Sequence, residues 1–145
     1  MIKINVITKN TNWIRYIKNP SKYIDKKIIK LNLKNTDYKK KSLFCTLLLS
    51  GNKEIKYLNK KFRKKNKETD VLSFPFKSHL NKDYRGDIAI CYEIINTRSK
   101  KTNFSIELDK IWIHGLLHLL GYNHKRLEDY KLMLKREQDI LKQVN

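Results

Sequence analysis

The sequence predicts a protein of the α+β class, in which a small mixed β-sheet is covered by helices. Two observations lead to this fold class. Short segments with strand-like patterns are interleaved with helical segments at first, whereas the last third of the chain is helical throughout. With 145 residues the chain is also long enough to bury its own core, so we expect residues 1–145 to form a single domain.

The first third of the chain predicts one strand, one helix and one loop. Residues 1–8 alternate between apolar and polar types, as a half-buried strand does. A helix is expected from Ser21 to about Leu33, because this segment follows Pro20 and its apolar residues recur at helical spacing. The polar segment 35–41 is the most loop-like part of the chain.

From residue 43 onward the sequence predicts three strands around one helix, followed by two longer helices. The apolar run 43–49 indicates a buried strand. Asn52 is expected to cap a helix over about 53–63, since asparagine accepts hydrogen bonds from the first helical N–H groups. The predicted elements that follow are strands at 70–74 and 86–91 and helices at about 105–120 and 127–144.

Three of the four histidines lie close together, in the segment 114–124. His114 and His118 are four residues apart, so on a helix they share one face. Gly121 permits a left-handed residue that ends the helix, and the turn after it can bring His124 back toward that face. Imidazoles that converge in this way form a three-ligand metal site with one position open for water or substrate.

A packed core is the alternative explanation of these histidines. A histidine in an apolar helix is more often a core residue than a ligand, and the run 111–120 is apolar enough for a buried helix. Three of four histidines at ligand spacing, with a glycine at the turn, nevertheless favour metal binding. His79, the fourth, lies in a polar stretch and is expected to be a solvated loop residue.

The cysteines, the hydropathy and the net charge indicate the compartment and the kind of partner that this protein has. Cys45 and Cys91 lie in strand-like runs without C-x-x-C spacing, so we expect core thiols in a reducing cytoplasm. No apolar stretch is long enough to span a membrane, and residues 1–8 are too short and polar for a signal peptide. The formal net charge of +19 points to a polyanionic partner, although an A/T-rich genome would also enrich lysine.

The densest group of positive charges is the basic run, residues 60–67, in which six of eight residues are lysine or arginine. One explanation is a solvated helix end followed by a loop. The other is a surface that follows the phosphates of a nucleic acid, with Phe62 between the charges. The charges alone favour neither.

Three blocks of sequence, taken together, are recognisable: residues 58–63 leading into T-D-V-L-S-F-P-F at 69–76, then G-D-I-A-I-C at 86–91, then the histidine motif at 114–124. In this order and spacing the chain resembles the YbeY family of bacterial endoribonucleases, also described as rRNA maturation factors. The resemblance covers residues from about 43 to 141. It implies a single-domain zincin-like fold, with a mixed sheet flanked by helices.

The resemblance also implies a function and its residues. We expect one zinc ion held by His114, His118 and His124, and metal-dependent cleavage of single-stranded RNA in rRNA 3′-end maturation and ribosome quality control. The functionally important arginine of the family corresponds to Arg63. Expected partners are an rRNA precursor, the small ribosomal subunit and ribosome-associated proteins. The family usually has G-Y-D-H where this chain has Asn123. Its carbonyl oxygen could still orient a ligating histidine, and we expect weaker tuning of the metal rather than its loss.

Arg63 and His114 are the expected catalytic residues. Phosphodiester cleavage needs an activated nucleophile and neutralised phosphate charge, and a three-histidine metal centre can supply both. A guanidinium adds two parallel hydrogen bonds to the phosphate. The sequence does not decide whether the nucleophile is water or the RNA 2′-hydroxyl. Gly115 stands where metzincin zinc proteases, which share the histidine spacing, carry a glutamate base, and we expect it to make room for a bulky substrate.

Two other functions compete with this one. A zinc protease is disfavoured because the chain lacks the glutamate, and because Met133 falls inside the last predicted helix rather than in a Met-turn. The stronger rival is a non-catalytic RNA-binding factor for ribosome assembly with a structural metal site. Structural zinc sites are normally closed by four protein ligands, and the three histidines supplied here favour catalysis.

Overall fold

The computed structural model describes residues 1–77 and 80–145. Strands and helices alternate along the first two thirds of the chain, and helices follow. The elements are β1 (Ile2–Thr8), a 3₁₀ helix (Thr11–Arg15), α1 (Pro20–Lys34), α2 (Thr36–Lys40), β2 (Leu43–Ser50), α3 (Asn52–Arg63), β3 (Val71–Pro75), β4 (Tyr84–Cys91), α4 (Tyr92–Ser99), α5 (Phe104–Leu119) and α6 (Leu127–Val144).

The four strands form one mixed sheet in the order β1-β2-β4-β3. The pairs β1–β2 and β2–β4 are parallel, whereas β3 runs antiparallel to β4. Parallel neighbours need crossover connections, and helices provide them here: α1 and α2 join β1 to β2, and α3 lies between β2 and β4. The α+β fold class, with a small mixed sheet covered by helices, is therefore confirmed.

Strand β4 shows how the sheet is covered on both faces. Ile88 and Ile90 belong to the main core, which includes most of α5, whereas Ala89 and Cys91 belong to a smaller core under α3. This division follows from the two-residue period of a strand, which sends successive side chains to opposite faces. Helix α5 and helix α3 therefore cover opposite faces, and β3 is an edge strand beside both of them.

Two local predictions are wrong. The segment 35–41 contains the short helix α2, because Asn35 Oδ1 accepts a hydrogen bond from the N–H of Tyr38 at 3.2 Å and caps it. Asn52 does not cap α3: Gly51 holds the cap position, and Asn52 is the first helical residue. The N–H of Asn52 donates instead to Glu93 Oε2 at 2.8 Å, so a carboxylate from a distant helix replaces the local cap.

The two cysteines are buried and free, as the sequence indicates. Burial raises the pKa of the Cys45 thiol to about 12 and that of Cys91 to about 11, so both are protonated near neutral pH. His79 lies outside the described residues. None of the described helices combines the length and apolar character that a membrane span requires. The single-domain organisation of residues 1–145 stays a prediction.

Candidate metal centre and its surroundings

Helix α5 carries two of the three histidines, and its ends are fixed by local interactions. Asn103 caps its start, since Asn103 Oδ1 accepts from the N–H of Ile106 at 2.9 Å. Its end has the predicted glycine turn: Gly121 has a φ of 97°, and its N–H donates to the carbonyl of His118 at 3.1 Å. This turn reverses the chain and brings the following residues back beside α5.

The structure brings the three predicted histidines together. The ring centroids of His114 and His118 are 4.6 Å apart, and that of His124 lies 5.8 and 5.1 Å from them. One ring nitrogen from each lies within 4.8 Å of the other two, so the group can hold a metal ion. His114 and His118 are half-buried and His124 is exposed, which leaves the site open to solvent on one side.

Hydrogen bonds at the far side of two rings fix how these rings are protonated. His118 Nδ1 lies 3.0 Å from the carbonyl oxygen of Tyr122, which can only accept, so we assign the proton of the neutral ring to Nδ1. His114 Nδ1 lies 2.5 Å from Glu137 Oε1, and the same assignment follows when the carboxylate is ionised. Both Nε2 atoms are then unprotonated in the neutral rings.

These two Nε2 atoms face each other across 3.0 Å. With both protons on the Nδ1 atoms, two lone pairs point at the same space, an arrangement that repels unless a cation lies near both. Burial, followed by the neighbouring His114, lowers the pKa of His118 below its usual value, which favours the neutral ring that metals require. The donor set therefore fits a metal ion.

Arg63 lies in the same cavity as the histidines. The cavity has a volume of about 350 Å³, and its other lining residues are Asp70, Val71, Ser73 and Pro75. Arg63 is the last residue of α3, and Lys64 ends the helix in a left-handed conformation with φ 57°. Its Nη2 donates to the carbonyl of Ser73 at 2.8 Å, and its guanidinium lies 5.9 Å from the centroid of the Phe74 ring.

Gly115 does not face this cavity, so the expectation that it makes room for a substrate is wrong. A Cβ atom at Gly115 would lie 2.7 Å from Ile88 Cγ2, which means that the glycine permits α5 to approach β4 closely. Ser73 strengthens this contact, since its Oγ donates to the carbonyl of Gly115 at 3.2 Å. Any larger side chain at this position meets the core of the sheet.

The orienting partner expected from Asn123 is also not observed. Asn123 Oδ1 accepts from the N–H of Lys125 at 3.2 Å, so the side chain stabilises the turn rather than a histidine. Glu137 and the Tyr122 carbonyl hold the rings instead. Sequence reasoning missed Glu137, which lies on α6, 23 residues from His114, and has no motif around it. Its one signal is a carboxylate on a helix that can pack beside the histidine helix.

Asp70 is the carboxylate among the residues that line the cavity, and its oxygens are already occupied. Asp70 Oδ2 accepts from Arg98 Nη1 at 2.8 Å, and Oδ1 accepts from the N–H of Val71 at 2.8 Å. Asp70 therefore links Arg98 on α4 to the start of β3.

Nearly the whole chain is similar to proteins of one named family. The family model described as Endoribonuclease YbeY matches residues 7–145. A protein named Endoribonuclease YbeY from Pelagibacter ubique is 46% identical over 98% of this chain and 95% of its own length. One of the same name from Buchnera aphidicola is 40% identical over 87% of this chain and 80% of its own length.

A solved structure has the same fold. The solution structure of TM1509 from Thermotoga maritima matches with a TM-score of 0.60 and 27% identity. The match covers 99% of this chain and 89% of that protein, so the likeness extends over nearly the whole of both chains. Taken with the sequence relatives, it shows that this chain belongs to the Endoribonuclease YbeY family.

Proposed function

We propose that this chain is a metal-dependent endoribonuclease that cleaves single-stranded RNA in rRNA 3′-end maturation and ribosome quality control. One observation carries the proposal: Arg63 and three histidines with converging ring nitrogens line the same open cavity. The first can bind a phosphate and the others a metal ion, which are the two requirements of phosphodiester cleavage. The names of the relatives supply the reaction, endonucleolytic cleavage of RNA.

His114, His118 and His124 are the residues that would hold the ion, and we propose zinc. Three nitrogen donors with a fourth position open are the donor set of catalytic zinc sites. Zinc held there would polarise a phosphate oxygen and lower the pKa of a water molecule. Glu137 and the carbonyl of Tyr122 keep the two helical rings in the ligating orientation, because each accepts a hydrogen bond from the opposite nitrogen.

Arg63 is proposed to bind the phosphate that is cleaved. Its hydrogen bond to the carbonyl of Ser73 uses one nitrogen and fixes the side chain at the cavity, while the remaining N–H groups stay available for phosphate oxygens. Two such bonds would orient the phosphodiester and stabilise the negative charge that grows during the reaction. His114 is catalytic in this scheme as a ligand next to the reacting phosphate.

The substrate and location follow from the same proposal. An endoribonuclease acts on RNA, and we propose an rRNA precursor bound to or near the small ribosomal subunit, with ribosome-associated proteins as partners. The net charge of +19 agrees with a polyanionic substrate. We propose the cytoplasm as the location, since two free buried thiols suit a reducing compartment.

The rival function, a non-catalytic RNA-binding factor for ribosome assembly, requires a structural metal site. Such sites are normally closed by four protein ligands. Among the described residues, the group that can hold a metal contains three histidines, one of them exposed. The side left open lies in the cavity that Arg63 lines, where a substrate phosphate can reach it. This arrangement favours catalysis.

Cleavage of a labelled single-stranded rRNA 3′-precursor tests the proposal. Purified protein would be compared with and without a chelator, beside His114→Ala and Arg63→Ala prepared in the same way. We expect cleavage to be lost in both variants and on chelation. Equal cleavage by all three proteins would indicate a contaminating nuclease and contradict the proposal.

The same assay separates the rival function and reports the nucleophile. Tight RNA binding without cleavage, at full metal occupancy, would favour the assembly factor. Analysis of the product ends decides between nucleophiles, because attack by the 2′-hydroxyl leaves a 2′,3′-cyclic phosphate whereas attack by water need not.

A further inference from the structure

The exposed side of α3 carries two aromatic rings with a lysine between them. Tyr57 is 59% exposed and Phe62 is 58% exposed, so more than half of each side chain is open to solvent. Lys61 Nζ lies 5.7 Å from the centroid of the Tyr57 ring and 5.4 Å from that of Phe62. The two rings and the amino group therefore form one small surface, which we call the ring surface.

The ring surface is connected to the cavity through Phe74. The rings of Phe62 and Phe74 pack edge to face with centroids 5.3 Å apart. On the same Phe74 ring lies the guanidinium of Arg63, which also bonds the carbonyl of Ser73 in the edge strand β3. A chain that passes from the histidines over Arg63 and across the edge of β3 thus reaches Phe62 next.

The basic run beside the ring surface is held in place and does not trail into solvent as a loose helix end. Asn59, which is 2% exposed, donates from Nδ2 to the carbonyl of Lys67 at 2.9 Å. Its own carbonyl accepts from the N–H of Lys65 at 3.2 Å. A buried side chain therefore folds the residues after α3 back against the helix, so their charges stay next to Phe62.

The charges of this run are also available. Lys60, Lys61, Lys64, Lys65 and Lys67 are exposed, and none of the ion pairs formed among the described residues includes them. Ordered lysines beside exposed rings match the chemistry of single-stranded nucleic acid sites, in which basic groups follow the phosphates and rings stack on bases. A duplex offers phosphates equally well, but its bases are already stacked on one another.

We propose that Tyr57, Lys61 and Phe62 form a binding subsite for unpaired nucleotides next to the phosphate bound by Arg63. The rings stack on bases, and Lys61 binds the phosphate between them. The inference rests on the proposed endoribonuclease function and adds a structural reason for the preference for single strands. It also gives the protein a means of holding RNA that does not depend on the histidines.

Equilibrium binding of two labelled strands of equal length tests the subsite. One is an oligoadenylate, and the other is an abasic strand with the same phosphates but no bases. Binding is measured by fluorescence anisotropy with a chelator present, so that metal-dependent cleavage does not interfere. The variants are Phe62→Leu, which keeps apolar packing on Phe74 but removes the ring, and Phe62→Trp, which restores a ring.

We expect Phe62→Leu to weaken oligoadenylate binding about five- to tenfold and to leave the abasic strand unchanged, because only the base loses a partner. Phe62→Trp should bind oligoadenylate as tightly as the natural protein. Unchanged oligoadenylate binding by Phe62→Leu, or equal losses for both strands, would overturn the subsite. Thermal unfolding of each variant shows that the fold is retained.

The role of Lys61 is tested by the salt dependence of the same binding. We expect Lys61→Gln to reduce the slope of log K against log salt by about 0.7, the contribution of one phosphate contact on a single strand. Lys30→Gln removes the same charge from an exposed position on α1 and should leave the slope unchanged. Equal effects of the two substitutions would mean that only the total charge matters.

RNA cleavage by the natural protein with metal present is measured in parallel. If the natural protein cleaves RNA and Phe62→Leu binds oligoadenylate as tightly as the natural protein, the subsite is rejected and the proposed endoribonuclease function stands. Failure of the natural protein to bind or cleave any RNA would reject the proposed function and the subsite together.

Discussion

Helices α5 and α3 both deliver functional side chains to the cavity, but they hold them in different ways. Most of α5 is buried, and its two histidines are fixed by hydrogen bonds to Glu137 and to the carbonyl of Tyr122. Helix α3 buries only Ile55 and Asn59, and its Arg63 is exposed and anchored by one hydrogen bond and one ring. A buried helix thus carries the candidate metal ligands, and an exposed one carries the candidate phosphate ligand.

The difference predicts two kinds of mutational effect. Substitutions on α5 should change metal content or the stability of the fold, because its functional face is continuous with the core. Substitutions at the exposed positions of α3 should change cleavage or RNA affinity while leaving both metal content and fold intact. Each prediction below tests one side of this comparison.

His118→Ala should give the largest effect. Removing one of three ligands should abolish stable metal binding and lower RNA cleavage about a thousandfold, the loss of several kcal/mol of transition-state stabilisation. Metal content of the purified variant and its cleavage rate are the measurements. Lys110→Ala, at an exposed position of the same helix, is the matched control. Full metal content in His118→Ala would contradict the assignment.

Glu137→Ala should weaken metal affinity 10- to 100-fold, roughly the effect of losing the group that orients a ligating histidine. The metal affinity of Glu137→Gln should lie between those of Glu137→Ala and the natural protein, because the amide oxygen still accepts the hydrogen bond but carries no charge. Competition with a metal-binding dye gives the affinities. The neighbouring exposed Gln138 provides a control as Gln138→Ala, and equal affinities for all three variants would show that Glu137 does not act on His114.

Gly115→Ala should lower the free energy of unfolding by about 1–3 kcal/mol, the usual cost of forcing one methyl group into a packed interior. The methyl group would lie 2.7 Å from Ile88 Cγ2, which is too close for two carbon atoms, so the surrounding structure must shift. Urea denaturation measures the change. Stability equal to that of the natural protein would mean that α5 and β4 are less closely packed than the structure has them.

Arg63→Lys should lower cleavage about tenfold, the effect of losing one charged hydrogen bond, with metal content unchanged. Lysine keeps the charge but has no planar fork to meet two phosphate oxygens. Lys65→Ala, nearby in the basic run, should have a smaller effect although it removes a whole charge. Similar losses in both variants would mean that Arg63 contributes only to the general positive potential.

How far each part of the fold could be predicted from the sequence depends on whether a local pattern determines it. Helices at 21–33, 105–120 and 127–144 are long and periodic, so the sequence alone places them to within a residue or two. The five-residue helix α2 has no room for a periodic pattern and depends on its Asn35 cap. Strand order and direction depend on contacts between distant segments, which no local pattern contains.

The histidines were predictable because one helix and one turn bring them together, so their spacing contains the geometry. Glu137 was not, because its position beside His114 depends on how α6 packs against α5. The role expected for Gly115 was wrong for a similar reason: its neighbour Ile88 comes from another strand. Local sequence thus predicts what one element presents, and tertiary packing decides what that element meets.

The contact between Gly115 and Ile88 has a consequence for how this site can evolve. A carboxylate side chain at position 115 is not accommodated without strain by one substitution, because its Cβ would lie 2.7 Å from Ile88 Cγ2. Truncating Ile88 to alanine first would open a cavity in the core at a cost of about 2–5 kcal/mol. Either order passes through a destabilised intermediate, so the two positions are epistatic. Packing between α5 and β4, rather than the candidate metal ligands, therefore limits which side chains position 115 can accept.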